Sequence, residues 1–156
     1  MERKKKENKF GIHVKAIVFD QNENILTLKR TNNGDDEWDL PGGQVKFGEN
    51  VYNTVWRAVK EQTDLDVDIE GPSNVWTLKV SEHLHTVCIS FRCTWFPYLV
   101  SAEESDKDIE DSERDDDDPV FLSTDFADYE WLSPEDILDG DFPVWMKDEI
   151  KIIEDE

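Results

Sequence analysis

The sequence predicts an α/β fold of the α+β type, in which a mixed β-sheet is sandwiched between helices. Several segments alternate apolar and polar residues, one segment between them has helical spacing, and two further helical segments close the chain. That order predicts a sheet with helices on both faces. The 156 residues suit a single domain, which we place at residues 10–156 after a flexible charged tail at 1–9.

The first two strands are predicted at residues 10–20 and 25–29, joined by polar turn residues. In the first strand, the apolar side chains that share one face are Ile12, Val14, Ala16 and Val18. In the second, Ile25 faces away from Leu26 and Leu28.

A helix is predicted at residues 50–62, after a short extended piece. Its apolar residues recur at helical spacing and are expected to form one buried stripe: Val51, Tyr52, Val55, Trp56 and Val59.

Two more strands are predicted at residues 75–80 and 86–98, with a turn at 81–85. The second has its apolar residues on one face: Val87, Ile89, Phe91, Cys93 and Trp95. Cys88 and Cys93 are separated by an odd number of residues on this strand, so they face opposite sides and are not expected to form a disulfide.

Residues 101–119 are predicted to be a mobile acidic loop, because residues 103–118 hold 11 acids and two bases. A short strand follows at 129–132. Ser133 and Pro134 then have the residue types of a helix cap and a first helical position, and a last amphipathic helix is predicted at 144–153.

The formal net charge of −21 limits the partners. Such a surface repels phosphate backbones, so nucleic-acid duplexes and anionic membranes are not expected to bind. No apolar run is long enough to span a membrane, and none follows the charged start as a secretory signal requires. The sequence predicts a cytoplasmic protein.

Residues 40–65 contain the motif that indicates chemistry. The Gly42–Gly43 pair permits a sharp turn and a close approach to a ligand. In the helix that follows, positions 58, 61 and 62 fall within one 100° arc. Carboxylates at these positions would converge on a hard cation such as Mg²⁺.

This segment resembles the Nudix box, whose pattern is G-x5-E-x7-R-E-U-x-E-E-x-G-U, where U is a bulky aliphatic residue. The positions that match are Gly43, Glu49, Arg57, Val59, Glu61 and Leu65. The preceding residues 38–43 and the segment 130–137 are also similar to the family's pattern. The chain departs from it at Ala58, Gln62 and Asp64, and the first two of these remove expected carboxylates.

The resemblance implies a Mg²⁺ or Mn²⁺ site held by Glu61, Gln62 and Gly43, with Glu61 and Arg57 as the catalytic residues. It also implies a structural brace made of Gly42, Glu49 and Arg57. Glu103 and Glu104 are candidates for additional carboxylates, although solvated surface charge is the alternative reading for each.

The function implied is hydrolysis of nucleoside diphosphate-linked compounds with a divalent metal, slowed by the missing carboxylates. The alternative is a catalytically inactive module that binds or senses a nucleotide. In both cases the partner is a small nucleotide-derived molecule. Trp38 and Trp76 are candidates for stacking on a base, and the aromatic content allows a homodimer.

Overall fold

The computed structural model describes residues 7–31, 37–96 and 119–155, and these residues form a mixed sheet covered by helices. The described strands are β1 (Lys9–Phe19), β2 (Ile25–Arg30), β3 (Glu37–Asp39), β4 (Gly42–Gln44), β5 (Val67–Ser81), β6 (Leu84–Trp95) and β7 (Phe126–Leu132). Their order is β3-β2-β1-β6-β5, with β4 paired to β1 and β7 paired to β2. β1 and β6 run parallel and the other pairs are antiparallel. The predicted fold class is confirmed.

Three helices pack on this sheet: α1 (Val51–Thr63), α2 (Pro134–Asp139) and α3 (Val144–Glu154). Asn50 caps α1 by accepting a hydrogen bond from the Tyr52 N–H, and Ser133 caps α2 by accepting one from the Asp136 N–H. α1 ends at Asp64, whose φ of 64° is left-handed. Asp64 therefore adopts the conformation for which Gly is usual at a helix end.

Two cores lie on opposite faces of the sheet. Leu26 and Leu28 join the core beneath α1, whereas Ile25 joins the core beneath α2 and α3. Ile25 thus faces away from Leu26 and Leu28, as predicted.

The sheet face beneath α3 carries two rows of polar residues. In the first row, His13 of β1 lies beside Cys88 of β6, which lies beside Trp76 of β5. In the second, Lys15 lies beside Ser90, which lies beside Asn74. Register partners present their side chains on the same face, so this face has a polar centre flanked by apolar residues.

The predicted orientation of the first helix was wrong for Trp56, which is 46% exposed, and for Tyr52, which is 45% exposed. Thr54, Ala58 and Thr63 are buried in their place, beside Val55 and Val59. The small Ala58 side chain lets the helix approach β4 closely, and this turns the bulkier Trp56 outward.

β5 begins at Val67, eight residues before the predicted start. Its first half contains Gly71 and Pro72 and pairs with β6 in a shifted register. Because the sequence of this half does not alternate regularly, its pattern did not predict a strand. Pro is tolerated because β5 is at the edge of the sheet. Cys88 and Cys93 are both free, as predicted.

The predicted mobile loop at 101–119 lies almost wholly outside the described residues. None of the three described helices combines the length and the apolar character that a bilayer span requires.

Candidate functional site

The Gly42–Gly43 turn is tied to α1 by the side chain of Gln62. The Gln62 Nε2 donates to the Gly42 carbonyl at 2.6 Å, and the Gly42 N–H donates to Gln62 Oε1 at 3.1 Å. One side-chain amide thus satisfies both backbone groups of one residue. Gln62 was expected to offer a free carbonyl oxygen to a metal, but that oxygen already accepts a hydrogen bond.

Position 42 has room for glycine alone. A Cβ there would lie 2.2 Å from the Val14 carbonyl oxygen, which is part of the rigid β1 backbone. A Cβ on Gly43 would lie 3.7 Å from the Cβ of Ala58. Ala58 therefore faces the turn together with Gln62, and its methyl group contributes packing and no ligand.

Arg57 and Glu49 connect the other side of α1 to the segment that precedes it. The Arg57 Nε lies 2.7 Å from Glu49 Oε2, and a second guanidinium nitrogen lies 2.9 Å from Oε1. Thr54 also donates to Glu49 at 2.8 Å. The hydrogen bonds from Arg57 and then Thr54 lower the pKa of Glu49 to about 2. Glu49 in turn raises the pKa of Arg57.

Glu61 supplies the one carboxylate at the three positions 58, 61 and 62. Its side chain is 61% exposed and contacts Arg57 at 3.3 Å. Among residues 7–31, 37–96 and 119–155, no group of three or more His, Cys, Asp or Glu side chains could hold a metal ion. The described donors, one carboxylate beside an amide already in use, do not fit a preassembled divalent-metal centre. Glu103 and Glu104 lie outside the described residues.

A cleft of about 310 Å³ opens on the sheet face beneath α3, next to the turn. Lys15 pairs in register with Gly42, and its Cδ would lie 3.0 Å from a Cβ at that glycine. The turn that Gln62 holds is thus in contact with the cleft wall. The residues that line the cleft are His13, Lys15, Arg30, Glu37, Trp38, Asp39, Trp76, Leu78, Val80, Thr86, Cys88 and Trp145.

Two cations converge on one buried carboxylate in this cleft. Lys15 Nζ lies 2.6 Å from one oxygen of Asp39, and Arg30 donates to the other at 2.8 Å. The Leu40 N–H also donates to Asp39, at 2.7 Å. Burial opposes the charged form of Asp39, but Lys15 and Arg30 outweigh burial and hold its pKa below the ordinary value. The inner wall therefore has two positive charges and one negative charge at neutral pH.

His13 and Cys88 are the neutral titratable groups of the cleft at pH 7, whereas Glu37 adds a second acid at its exposed rim. Burial, with the charge of Lys15 second, lowers the pKa of His13 to about 4. Burial also raises the pKa of the Cys88 thiol. Cys88 therefore contributes a small thiol surface and not a nucleophile.

No role was predicted from the sequence for Lys15, Arg30, Asp39 or Trp145. The available signal was in β1, where His13 and Lys15 alternate with buried apolar residues and so share the second face of the sheet. Trp38 and Trp76, the two residues considered for stacking, both line the cleft. Trp38 packs against Phe142 with ring centroids 5.7 Å apart.

Known proteins share this fold. The crystal structure of the MutT protein from Methanosarcina mazei Go1 has a TM-score of 0.72 and 22% identity, over 97% of each chain. An Ap4A hydrolase from C. elegans, solved as a binary complex, has a TM-score of 0.68 and 13% identity, over 93% of this chain and 96% of that one.

Sequence comparison agrees with the structural comparison. A MutT-like protein from Streptomyces ambofaciens is 28% identical over 83 residues, which are 53% of this chain and 51% of that protein. The model of the NUDIX domain matches residues 9–152, which include the turn, α1 and the cleft. The chain belongs to the Nudix family.

Proposed function

We propose that this protein binds a small nucleotide-derived compound in the cleft beneath α3, and that its Nudix box acts as a structural brace. The observation that carries the proposal is the pair of cations, Lys15 and Arg30, around the single buried carboxylate of Asp39. Lys has three donors and Arg has five, so both have hydrogen-bonding capacity beyond Asp39. These remaining donors can bind an anionic group at the inner wall, although Glu37 at the rim makes the cleft as a whole formally neutral.

The aromatic lining supports a ring as the second part of the ligand. Trp38, Trp76 and Trp145 line the cleft, and stacking of a base on an aromatic side chain contributes about 1–3 kcal/mol. The formal charge of the whole chain is −21, so two adjacent cations at the inner wall of a cleft are a local exception that selects where an anion binds.

Binding by these groups does not need a metal ion. The turn beside the cleft is held by the Gln62 amide, and the loop before α1 is held by the Arg57–Glu49 pair. In this proposal Gly42, Glu49 and Arg57 are structural, which extends the expected brace to include Gln62.

Calorimetric titration with nucleoside mono- and diphosphates, with and without Mg²⁺, tests the proposal. We expect binding in both conditions. Lys15→Met is expected to weaken it at least tenfold, since a charged hydrogen bond contributes about 1.5–3 kcal/mol. The matched control is Lys79→Met, because Lys79 is exposed on the opposite face of β5 and lies outside the cleft. Equal affinities for the two variants would contradict the proposal.

Metal-dependent hydrolysis of nucleoside diphosphate-linked compounds is the second candidate. It is favoured by the exposed carboxylate of Glu61, which stands on the same arc of α1 as Ala58 and Gln62. In this candidate Glu61 and Gly43 hold Mg²⁺ or Mn²⁺, and Arg57 assists. Cleavage to a nucleoside monophosphate and a phosphorylated second product, which requires the metal and disappears in Glu61→Gln, would support it over binding alone.

A further inference from the structure

A second cavity, of about 460 Å³, continues the groove between β5 and α3. Trp76 and Trp145 line both this cavity and the cleft, so the two are neighbouring compartments of one groove. We call this second cavity the amine compartment. Its α3 wall includes Trp145, Asp148, Glu149 and Ile152, which share one side of the helix, and Lys151 lies at its edge.

Glu149 places a buried carboxylate in this wall. Its side chain is almost fully buried, and the Ser90 hydroxyl and the Asn74 amide donate to its two oxygens at 2.5 and 2.7 Å. Both donors are neutral. Within the described part of the chain, no Lys, Arg or His forms an ion pair with Glu149.

The charge around Glu149 favours a cation from outside the chain. Neutral hydrogen bonds do not cancel the charge of a buried carboxylate, and each of its oxygens can accept a further bond. Asp148 adds a second negative charge at the exposed rim, and Lys151 adds one positive charge. Two acids against one base leave the compartment negative, in contrast to the cationic inner wall of the cleft.

The tryptophan rings supply the second recognition element. The face of Trp145 already receives one cation, Lys15 Nζ, at 5.2 Å from the ring centroid. The Trp76 ring makes no aromatic or cation–π contact with the residues that the structure describes. A half-buried indole beside a buried carboxylate is the combination that binds ammonium groups.

We infer that the ligand is zwitterionic: its anionic part binds in the cleft, and a cationic amine or quaternary ammonium binds between Trp76 and Glu149. A nucleoside diphosphate esterified to an amino alcohol has this arrangement of charges. Binding of the anionic part of the ligand rests on the proposed function. Binding of the cationic part in the amine compartment is argued separately, from Glu149 and Trp76.

Three probes separate the two halves in calorimetric titrations without metal: CDP, CDP-choline and CDP-glycerol. CDP tests the cleft alone. CDP-choline and CDP-glycerol differ in the cation, and we expect CDP-choline to bind about tenfold more tightly. If CDP binds and the two conjugates bind equally, the inference is overturned while the proposed function stands.

Glu149→Gln is expected to abolish the preference for CDP-choline over CDP-glycerol, so that the two bind with about equal affinity. The affinity for CDP should stay unchanged. The control is Glu154→Gln, an exposed acid of α3 outside the compartment, which keeps the preference. Glu149 also accepts hydrogen bonds from Ser90 and Asn74, so Glu149→Gln can fail to fold. In that case Asp148→Asn and Trp76→Leu test the preference instead. A preference that survives in all of the folded variants overturns the inference.

Failure of CDP to bind would remove the proposed function, and choline alone then tests the compartment. A rise in the unfolding temperature with choline and not with glycerol, lost in Asp148→Asn or Trp76→Leu, supports the amine compartment. The same rise with both solutes, or with neither, overturns it.

Discussion

Gln62 on α1 and Gly42 in the turn are joined by two hydrogen bonds in opposite directions, at 2.6 and 3.1 Å. An amide can donate and accept at once, whereas a carboxylate can only accept. A Glu at position 62, as in the family pattern, cannot make this pair of bonds. The residue that removes a carboxylate from the box therefore also attaches the turn to the helix.

Gln62→Glu is expected to lower the free energy of unfolding by about 1–3 kcal/mol at neutral pH, since it leaves the Gly42 carbonyl without its donor and beside a negative charge. Denaturant unfolding measures the effect. The control is Glu61→Gln, one residue away and 61% exposed, which should change stability by no more than about 0.5 kcal/mol. Equal stability of Gln62→Glu and the natural protein would show that the pair contributes nothing.

The fold was predictable because alternation and helical spacing are local properties of the sequence. β1, β2 and α3 were placed within one residue at both ends, and the start of α2 was also predicted, whereas β6 begins two residues and ends three residues before its predicted bounds. The direction in which α1 faces depends on Ala58 meeting Gly43, which are 15 residues apart, so the pattern did not predict that Trp56 is exposed.

The cleft was not predictable for a similar reason. Its groups lie far apart in the sequence and meet through the parallel pairing of β1 and β6 and the packing of α3. The Glu149–Ser90 contact spans 59 residues. A single sequence shows that Lys15 and His13 share one face, but not which side chains from other elements meet them there.

The Glu49–Arg57 pair is expected to give the protein an acid-sensitive contribution to stability. The pKa of Glu49 is lowered from 4.5 to about 2, so the unfolded chain takes up the proton first as pH falls. The contribution is complete above about pH 4.5 and is lost between about 4.5 and 2. Thermal unfolding of the natural protein and of Glu49→Gln should therefore differ most at neutral pH and converge in this interval.

A constant difference between those two proteins from neutral pH to pH 2 would contradict this linkage. Glu135→Gln is a suitable control, because Glu135 is an exposed acid outside the pair. Its difference from the natural protein should be small at neutral pH.

Asp39→Asn is expected to lower the free energy of unfolding by about 3 kcal/mol, since it leaves Lys15 and Arg30 without their shared carboxylate. The Lys15 and Asp39 side chains are 12% and 9% exposed, so water replaces the lost contact poorly. Arg30 is 38% exposed and can turn towards solvent. We therefore expect a loss at the lower end of the roughly 3–5 kcal/mol that removing one partner of a buried ion pair costs. Denaturant unfolding checks this, with the exposed rim acid Glu37→Gln as control. A change below about 1 kcal/mol would show that the ion pairs of Asp39 with Lys15 and Arg30 contribute no more than exposed ion pairs do.

His13 gives a second pH dependence, in a different interval. Its pKa falls from 6.5 to about 4 on folding, so between these values the unfolded chain binds more protons than the folded one. Stability is therefore expected to decrease as pH falls from 6.5 to 4. Thermal unfolding across this interval should show a shallower slope for His13→Gln, whereas the exposed His85→Gln keeps the natural slope. Identical slopes in all three proteins would exclude His13 as the source.

Under the binding proposal, restoring both carboxylates of the box should create a metal dependence that we expect to be absent from the natural protein. In Ala58→Glu with Gln62→Glu, two new acids join Glu61 on the arc beside Gly43, and their mutual repulsion destabilises the variant without a cation. Millimolar Mg²⁺ is then expected to raise its unfolding temperature by several degrees, since an ion that binds the folded state alone stabilises it. The same Mg²⁺ should leave the natural protein unchanged apart from the general effect of salt, which Na⁺ at equal ionic strength measures. An equal Mg²⁺-specific rise in the natural protein would show that Glu61 suffices to hold the ion, and would favour hydrolysis over binding alone.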